Sequence, residues 1–338
     1  MTLRLGFVGC GRWARKLAES FRACGAEMVA HDSPTAAHFD KLHSVPNRCD
    51  CGHPWVDHTE GGRGGLSGPC HGFGRWMGDG LCNTNACYCK SFKRTDHAPG
   101  FGKFMPWRDQ LADKSIDAIV AVAPPEITTE VAMACAAAGK AVCATKPLFD
   151  HPERIAAPFY VDFWRLWSEA HQSAKESGKC VSIVLKGSGP VRSFPGMLDY
   201  GPHVAAAALD IAAGRSVRLV DSNRMQSETG EVYAGQWIIG GELTRGGTLV
   251  DGEFGNGAAE GVRSVSVHRE YDGKRIDGAV DTTHETPTHI GRQSKDEILQ
   301  VFCRSFLSDV SEGFVDTKLL NYSREGMRLL REIREVAT

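Results

Sequence analysis

The stretch from Leu3 to Asp32 most constrains how this chain can fold. Leu3-Arg4-Leu5-Gly6-Phe7-Val8 reads as a short apolar strand, and Gly9-Cys10-Gly11-Arg12-Trp13-Ala14 follows it at once as a G-x-G-x-x-A turn. A helix then runs from Trp13 to Cys24 and stops at Gly25, and Ala26 to His31 reads as a second strand followed by Asp32. Strand, glycine turn, helix, strand and acid, in that order, suit a dinucleotide. Gly9 permits the tight turn, Gly11 lets backbone N–H groups approach a pyrophosphate at the helix N-terminus, and Ala14 keeps helix and strand close. Arg12 and Trp13 lie in the same turn and join the candidate cofactor contacts. Asp32 is placed to accept hydrogen bonds from an adenosine ribose and, by repelling a 2′-phosphate, favours NAD over NADP. Taken alone, the same order is also compatible with a strand-to-helix turn that binds nothing, so its meaning depends on the rest of the chain.

At 338 residues the chain is long enough for two domains with substantial cores. Its 39 Lys and Arg nearly balance 41 Asp and Glu, leaving a net charge of -2 and no general electrostatic drive toward nucleic acid or an anionic membrane. The first strand is too short for a signal peptide, and no apolar run is long enough to span a bilayer. The expectation is a cytoplasmic protein with neither nucleic-acid nor membrane partners.

Of 12 cysteines, six crowd into one Gly- and His-rich stretch with little hydrophobic periodicity, residues 46–102. In a reducing compartment such clustering points to metal rather than disulfides. Cys49-x-Cys51-Gly52-His53 is followed by Asp57-His58, Cys70-His71, Cys82 and Cys87-x-Cys89. Two C-x-C pairs bracketing histidines supply more than the four soft ligands of a structural zinc site, and coordination can order a segment that buries little apolar surface. The candidate ligands are Cys49, Cys51, His58, Cys70, Cys87 and Cys89, from which four, or a shared larger set, hold Zn2+. The stretch resembles small zinc-binding modules with a C-x-C-G-H opening and a C-x-C closing. The competing reading is a set of free thiols.

Periodicity returns with a short helix, Trp107 to Leu111, and a doubly buried strand, Ile116 to Val122, broken by Ala123-Pro124-Pro125. Thr128 or Thr129 can cap the next helix, Glu130 to Ala138, which Gly139 ends; a strand from Ala141 to Ala144 leads into Thr145-Lys146-Pro147-Leu148. Alternating strands and helices imply a parallel, doubly wound sheet. An amphipathic helix is expected from Tyr160 to Ser177, and a strand from Cys180 to Leu185 that runs into a basic loop, Lys186 to Arg192. Lys186 and Arg192 are candidates for an anionic group on a substrate, or are simply solvated loop charges. Leu198 to Gly214 reads as an alanine-rich helix with Asp199 and His203 on one side of its first turn, where Asp199 could equally be an N-cap. From Ser216 to Val280 the pattern turns to alternating strands, with Asp251-Gly252 and Asp272-Gly273 as hairpin signals. Ser294-Lys295-Asp296-Glu297 is a capping box, and a last helix spans about Asn321 to Ala337.

The succession of G-x-G-x-x-A, a strand ending in Ala-Pro-Pro, a helix ending in Ala-Gly-Lys and a strand ending in Thr-Lys-Pro-Leu resembles the Gfo/Idh/MocA oxidoreductases. That family is nicotinamide-dependent and acts mainly on sugars, cyclitols and related compounds. The resemblance covers residues 3–42 and 107–148. It implies that Ala123, Pro124, Pro125 and Lys146 join the cofactor contacts, and that Lys146, Asp199 and His203 form the catalytic group and touch substrate. This chain departs from the family where Thr145 stands for the usual Glu, Thr128 for a common His, and Ala206 for an acid three residues after the histidine. The expected fold is α/β: a Rossmann domain over residues 1–148 with the zinc-binding insertion at 46–102, then an α+β domain over 149–338 with a mainly antiparallel sheet for substrate and oligomer contacts. The expected protein is a homo-oligomer, dimer or tetramer, that passes a hydride between NAD and a CH–OH or C=O carbon of a small polar substrate. The alternative is a non-catalytic NAD(H)-binding sensor or scaffold that uses the zinc module to dock a partner.

Overall fold

The computed structural model describes residues 2–32, 101–176, 182–189, 196–227, 230–240, 248–256, 262–271, 274–281 and 293–336. All six candidate zinc ligands and Arg192 lie outside these residues. Among the described residues no group of three His, Cys, Asp or Glu side chains is placed to hold a metal, and no helix is long and apolar enough to cross a membrane.

The first layer is a six-stranded parallel sheet in the order β3-β2-β1-β4-β5-β6. Its strands are β1 (Arg4–Val8), β2 (Glu27–Asp32), β3 (Lys103–Phe104), β4 (Ala118–Ala121), β5 (Ala141–Ala144) and β6 (Phe159–Val161). Leu5, Phe7 and Val8, and all four residues each of β4 and β5, are buried, as strands covered on both faces require. Helices α1 (Arg12–Ala23), α2 (Trp107–Ala112) and α3 (Pro125–Ala138) are wound between the strands. In α1, Ala14, Leu17, Ala18 and Phe21 recur at helical spacing and are buried; the helix stops before Gly25, whose φ of 89° is open to glycine at little cost. Pro125 opens α3, where the missing N–H of a proline costs nothing, and Gly139 ends it at φ 64°. Neither Thr128 nor Thr129 caps that helix: Pro124 takes the cap position, and the Thr128 hydroxyl turns back to donate to the Ala123 carbonyl at 2.8 Å.

The second layer is also six-stranded, in the order β12-β11-β7-β10-β9-β8. It comprises β7 (Ser182–Gly189), β8 (Val217–Ser227), β9 (Gly230–Ile239), β10 (Thr248–Asn256), β11 (Val262–Tyr271) and β12 (Lys274–Asp281). Every pairing is antiparallel except β7 with β10, which run parallel from Ser182 beside Leu249 to Gly189 beside Asn256. Helix α5 (Gly196–Ala212) lies across β7, β9 and β10 and against α7 (Lys318–Val336). Its alanines, Ala205, Ala206 and Ala208 fully buried, allow that close approach. Helix α6 (Lys295–Glu312) opens on the expected capping box, with the Ser294 hydroxyl accepting from the Glu297 N–H and the Glu297 carboxylate from the Ser294 N–H. It packs on α1 through Phe306, edge to face on Phe21 at 5.8 Å, so the end of the chain buttresses the first sheet.

Three further expectations are corrected. Tyr160 to Ser177 is not one helix: Phe159–Val161 forms β6 beside β5, Trp164–Trp167 is a 3₁₀ turn, and only α4 (Glu169–Glu176) is α-helical. A buried aromatic and β-branched run next to an open sheet edge favours strand over helix. Lys186 lies in mid-strand between β10 and β11, not in a loop, because partners on both sides extend β7 to Gly189. Asp251-Gly252 is no turn but lies inside β10; a Cβ at Gly252 would come within 2.3 Å of Trp237 Cζ3, so the glycine makes room for the buried indole.

Candidate active-site cleft

In a parallel sheet, ligands gather at the carboxyl ends of the strands, at the point where the strand order reverses. Here that point lies between β1 and β4, and the register aligns the ends: Val8 pairs with both Asp32 and Ala121, Ala121 with Ala144, and Ala144 with Val161. The residues that leave these strands therefore converge. Gly11 to Ala14, Val122 and Ala123, Thr145 and Lys146, and Asp162 line one cleft of about 790 Å³, together with Asp199 and His203 from α5.

The glycine turn has the form expected of a pyrophosphate cradle. Gly9 has φ 102°, and a Cβ there would lie 2.0 Å from the Val122 carbonyl, so glycine lets β1 and β4 release their chains side by side. Gly11 is the N-cap of α1, and no side chain caps that end, nor does an acid occupy the first turn. The positive end of the helix dipole thus faces the cleft with no acid in its own first turn. These features fit a dinucleotide phosphate.

Lys146 follows β5, joined to Pro147 by a cis peptide bond. Its ammonium lies 3.0 Å from Asp199 Oδ1 and also donates to the Asp199 backbone carbonyl; the two side chains are 13% and 15% exposed. Asp199 is inside the first turn of α5, not its N-cap. His203, one turn further along, meets Phe163 edge to face at 6.1 Å and lines the same cleft. The three residues carried over from sequence thus share one site.

Asp32 ends β2 beside the glycine turn, with its carbonyl accepting the Gly9 N–H at 2.6 Å. Its buried carboxylate accepts the Trp107 N–H at 2.8 Å, so at least one oxygen also starts α2. Pro124 and Pro125 shape the exit from β4 and the start of α3, but they do not line the cleft. Among the lining residues that escaped the sequence reading are Asp162, Trp164, Arg165 and Lys295. The first three were hidden inside the supposed helix; an acid placed directly after a recognised strand would have been the signal. Lys295 belongs to the capping-box segment, and its ammonium sits 4.7 Å over the Trp13 ring.

No family model and no curated protein matches the chain. Solved structures do match. Scyllo-inositol dehydrogenase from Lactobacillus casei, with bound NAD(H) and scyllo-inositol, shares 13% identity at a TM-score of 0.64, covering 100% of this chain and 97% of that one. UDP-N-acetylglucosamine 3-dehydrogenase from Acidithiobacillus ferrooxidans gives 12% identity and 0.62, with 100% and 98% covered. A 3-ketoreductase from Actinomadura kijaniata, in complex with TDP-benzene and NADP, gives 14% and 0.62, again with 100% and 98% covered. At these identities the likeness is one of fold: the described residues have the two-layer α/β architecture of these dehydrogenases and reductases.

Proposed function

We propose that this chain is a nicotinamide-dependent oxidoreductase of the Gfo/Idh/MocA type, acting on a CH–OH or C=O carbon of a small polar substrate such as a sugar, sugar acid, cyclitol or nucleotide sugar. The observation that carries this reading is the Lys146–Asp199 pair, with His203 one helical turn away, in a cleft that begins at the glycine turn. Structural neighbours that handle an inositol and a nucleotide sugar support the substrate range.

Gly9, Gly11, Arg12, Trp13 and Ala14 hold the dinucleotide, with Ala123 in the opposite wall, Pro124 and Pro125 shaping the chain behind it, and Asp32 taking the adenosine ribose. Bound NAD supplies the hydride acceptor or donor. Lys146 orients and polarises the substrate oxygen; Asp199 fixes the ammonium in place. His203 moves the proton of that oxygen, since an imidazole is the side chain that changes charge near neutrality. Lys186 and, outside the described residues, Arg192 are kept as contacts for an anionic substrate group. The cysteine-rich segment is proposed to bind structural Zn2+, and the protein to work as a homo-oligomer.

The test is cofactor-fluorescence turnover against a panel of sugars, sugar acids, cyclitols and nucleotide sugars. Lys146→Ala is expected to cut kcat by at least about 100-fold, as removal of a catalytic acid–base group does, while NADH binding persists. Tight NADH binding with no turnover on any member, unchanged by Lys146→Ala, would replace the enzyme with a nucleotide-binding sensor.

A further inference from the structure

Asp162 has no part in the chemistry above, yet it lies in the same cleft wall. Val161 pairs with Ala144, so Asp162 leaves the sheet one strand over from Thr145 and Lys146, its N–H bonded to the Ala144 carbonyl at 2.8 Å. The residue is 2% exposed. Oδ2 accepts the Trp13 indole N–H at 2.6 Å; Oδ1 is buried and has no close partner among the described residues, though the Trp164 backbone N–H also lowers the carboxyl pKa. Trp13 belongs to the glycine turn, and its ring packs 6.2 Å from Trp164 beneath the Lys295 ammonium. The carboxyl therefore touches the cradle through Trp13 and feels the charge of Lys146, which leaves the neighbouring strand.

A carboxylate buried this deeply is costly unless its charge is answered. The charges beside it are the Lys146 ammonium after β5 and the Arg165 guanidinium on the 3₁₀ turn; the nearby thiols of Cys143 on β5 and Cys303 on α6, raised chiefly by burial, stay neutral. Burial pushes the Asp162 carboxyl up to about 6, against the opposing pulls of the Trp13 bond and the Lys146 charge. Coulomb coupling is mutual, so Lys146 feels the charge of Asp162 as Asp162 feels that of Lys146.

We propose that Asp162 is a positioning residue: its carboxylate ties the Trp13 ring to the cleft wall and, with Asp199, supports the ammonium form of Lys146, and proton uptake on Asp162 loosens both. The role of Lys146 is taken from the proposed function. The positioning role makes no bond to substrate; the only covalent event is an O–H bond formed on Asp162 by a proton from water. It gives the cleft two charge states that interconvert near pH 6.

The test uses the full chain and needs no turnover. Lysines are reductively methylated with 13C-formaldehyde, the Lys146 signal is assigned by its loss in Lys146→Arg, and its shift is followed against pH. In Asp162→Asn, which keeps an oxygen for the Trp13 N–H and removes the charge, the Lys146 midpoint is expected to fall by about one pH unit, the lower end of the effect of a nearby opposite charge. The wild-type signal is expected to carry a second inflection near pH 6, absent from Asp162→Asn. Trp13→Phe takes away the indole donor and keeps an aromatic ring, so the same inflection should move to higher pH. An unchanged Lys146 midpoint in Asp162→Asn, or an inflection that persists there, overturns the proposal. If Asp162→Asn does not fold, an inflection that Trp13→Phe leaves in place overturns it equally. These shifts without any turnover would refute the oxidoreductase reading alone; turnover without the shifts would refute the positioning role alone.

Discussion

Asp210 on α5 is 1% exposed and receives four donors: His171 Nε2 on Oδ2 at 2.7 Å, and Lys175, Lys318 and the Tyr322 hydroxyl on Oδ1 at 3.0, 2.8 and 2.8 Å. One carboxylate thereby fastens α4 and α7 to the helix that carries Asp199 and His203. Asp210→Ala removes it and strands a buried histidine. The His171 bond is charge-assisted and dry, worth roughly 1.5–3 kcal/mol, and Tyr322 adds about 1 kcal/mol. The two lysines, 29% and 42% exposed, are partly screened by water, so each adds no more than about 1 kcal/mol. The sum is about 2.5–6 kcal/mol, which spans the cost of breaking a buried pair. In Asp210→Asn the amide nitrogen can face His171, which takes the tautomer that accepts, and the oxygen keeps the other three donors; roughly half the loss is expected. The assay is urea unfolding followed by circular dichroism at pH 7, repeated at falling pH. Despite burial, which raises it, the His171 and lysine contacts hold the Asp210 carboxyl below its ordinary value of 3.8. A folded pKa below the unfolded one contributes stability that is complete above about pH 4 and drains away as the pH falls below it. The difference between wild type and Asp210→Ala must therefore shrink below pH 4. A constant gap from pH 7 to 3, or a cost under about 1 kcal/mol, the scale of surface pairs, would refute this account.

Gly252→Ala drives a methyl group into the buried Trp237 ring and Val204 and should cost about 1–3 kcal/mol by overpacking, read as a lower urea midpoint with an unchanged m-value. Gly9→Ala places a Cβ against backbone at a left-handed φ, so at least about 2 kcal/mol of stability and most NADH affinity should be lost together; wild-type NADH titration curves would contradict the cradle. Zinc should be found by elemental analysis of the purified protein, and mild chelation should lower Tm before it lowers hydride transfer; a metal-free protein of full stability would remove zinc from the description.

The sequence made the cleft legible where chemistry and backbone demands coincide. Gly9 is required by a close approach of chains, and Lys146, Asp199 and His203 were named by the family resemblance, so their meeting in one cleft could be expected without coordinates. Legibility failed where tertiary partners decide. Phe159 to Val161 has helical spacing with the residues after it, and only the open edge of β5 makes it a strand. Gly252 looks like a turn until Trp237 is set above it. Lys103–Phe104 is too short to show any alternation and exists as β3 because β2 offers an edge. Asp162 was lost with β6, since its meaning lies in being the first residue past a strand end.

The parallel pairing of β7 with β10 fixes an order of assembly. β7 emerges long before either of its neighbours, with β8 and β9 still to be made before β10 and all of these before β11, and it enters the sheet only between strands that are far away in sequence. Contacts of such separation close late, because loop entropy is lost before they reward it. During synthesis β7 therefore waits with both edges bare, a template for pairing with another chain. A chain cut before Thr248 should aggregate rather than yield a smaller soluble domain.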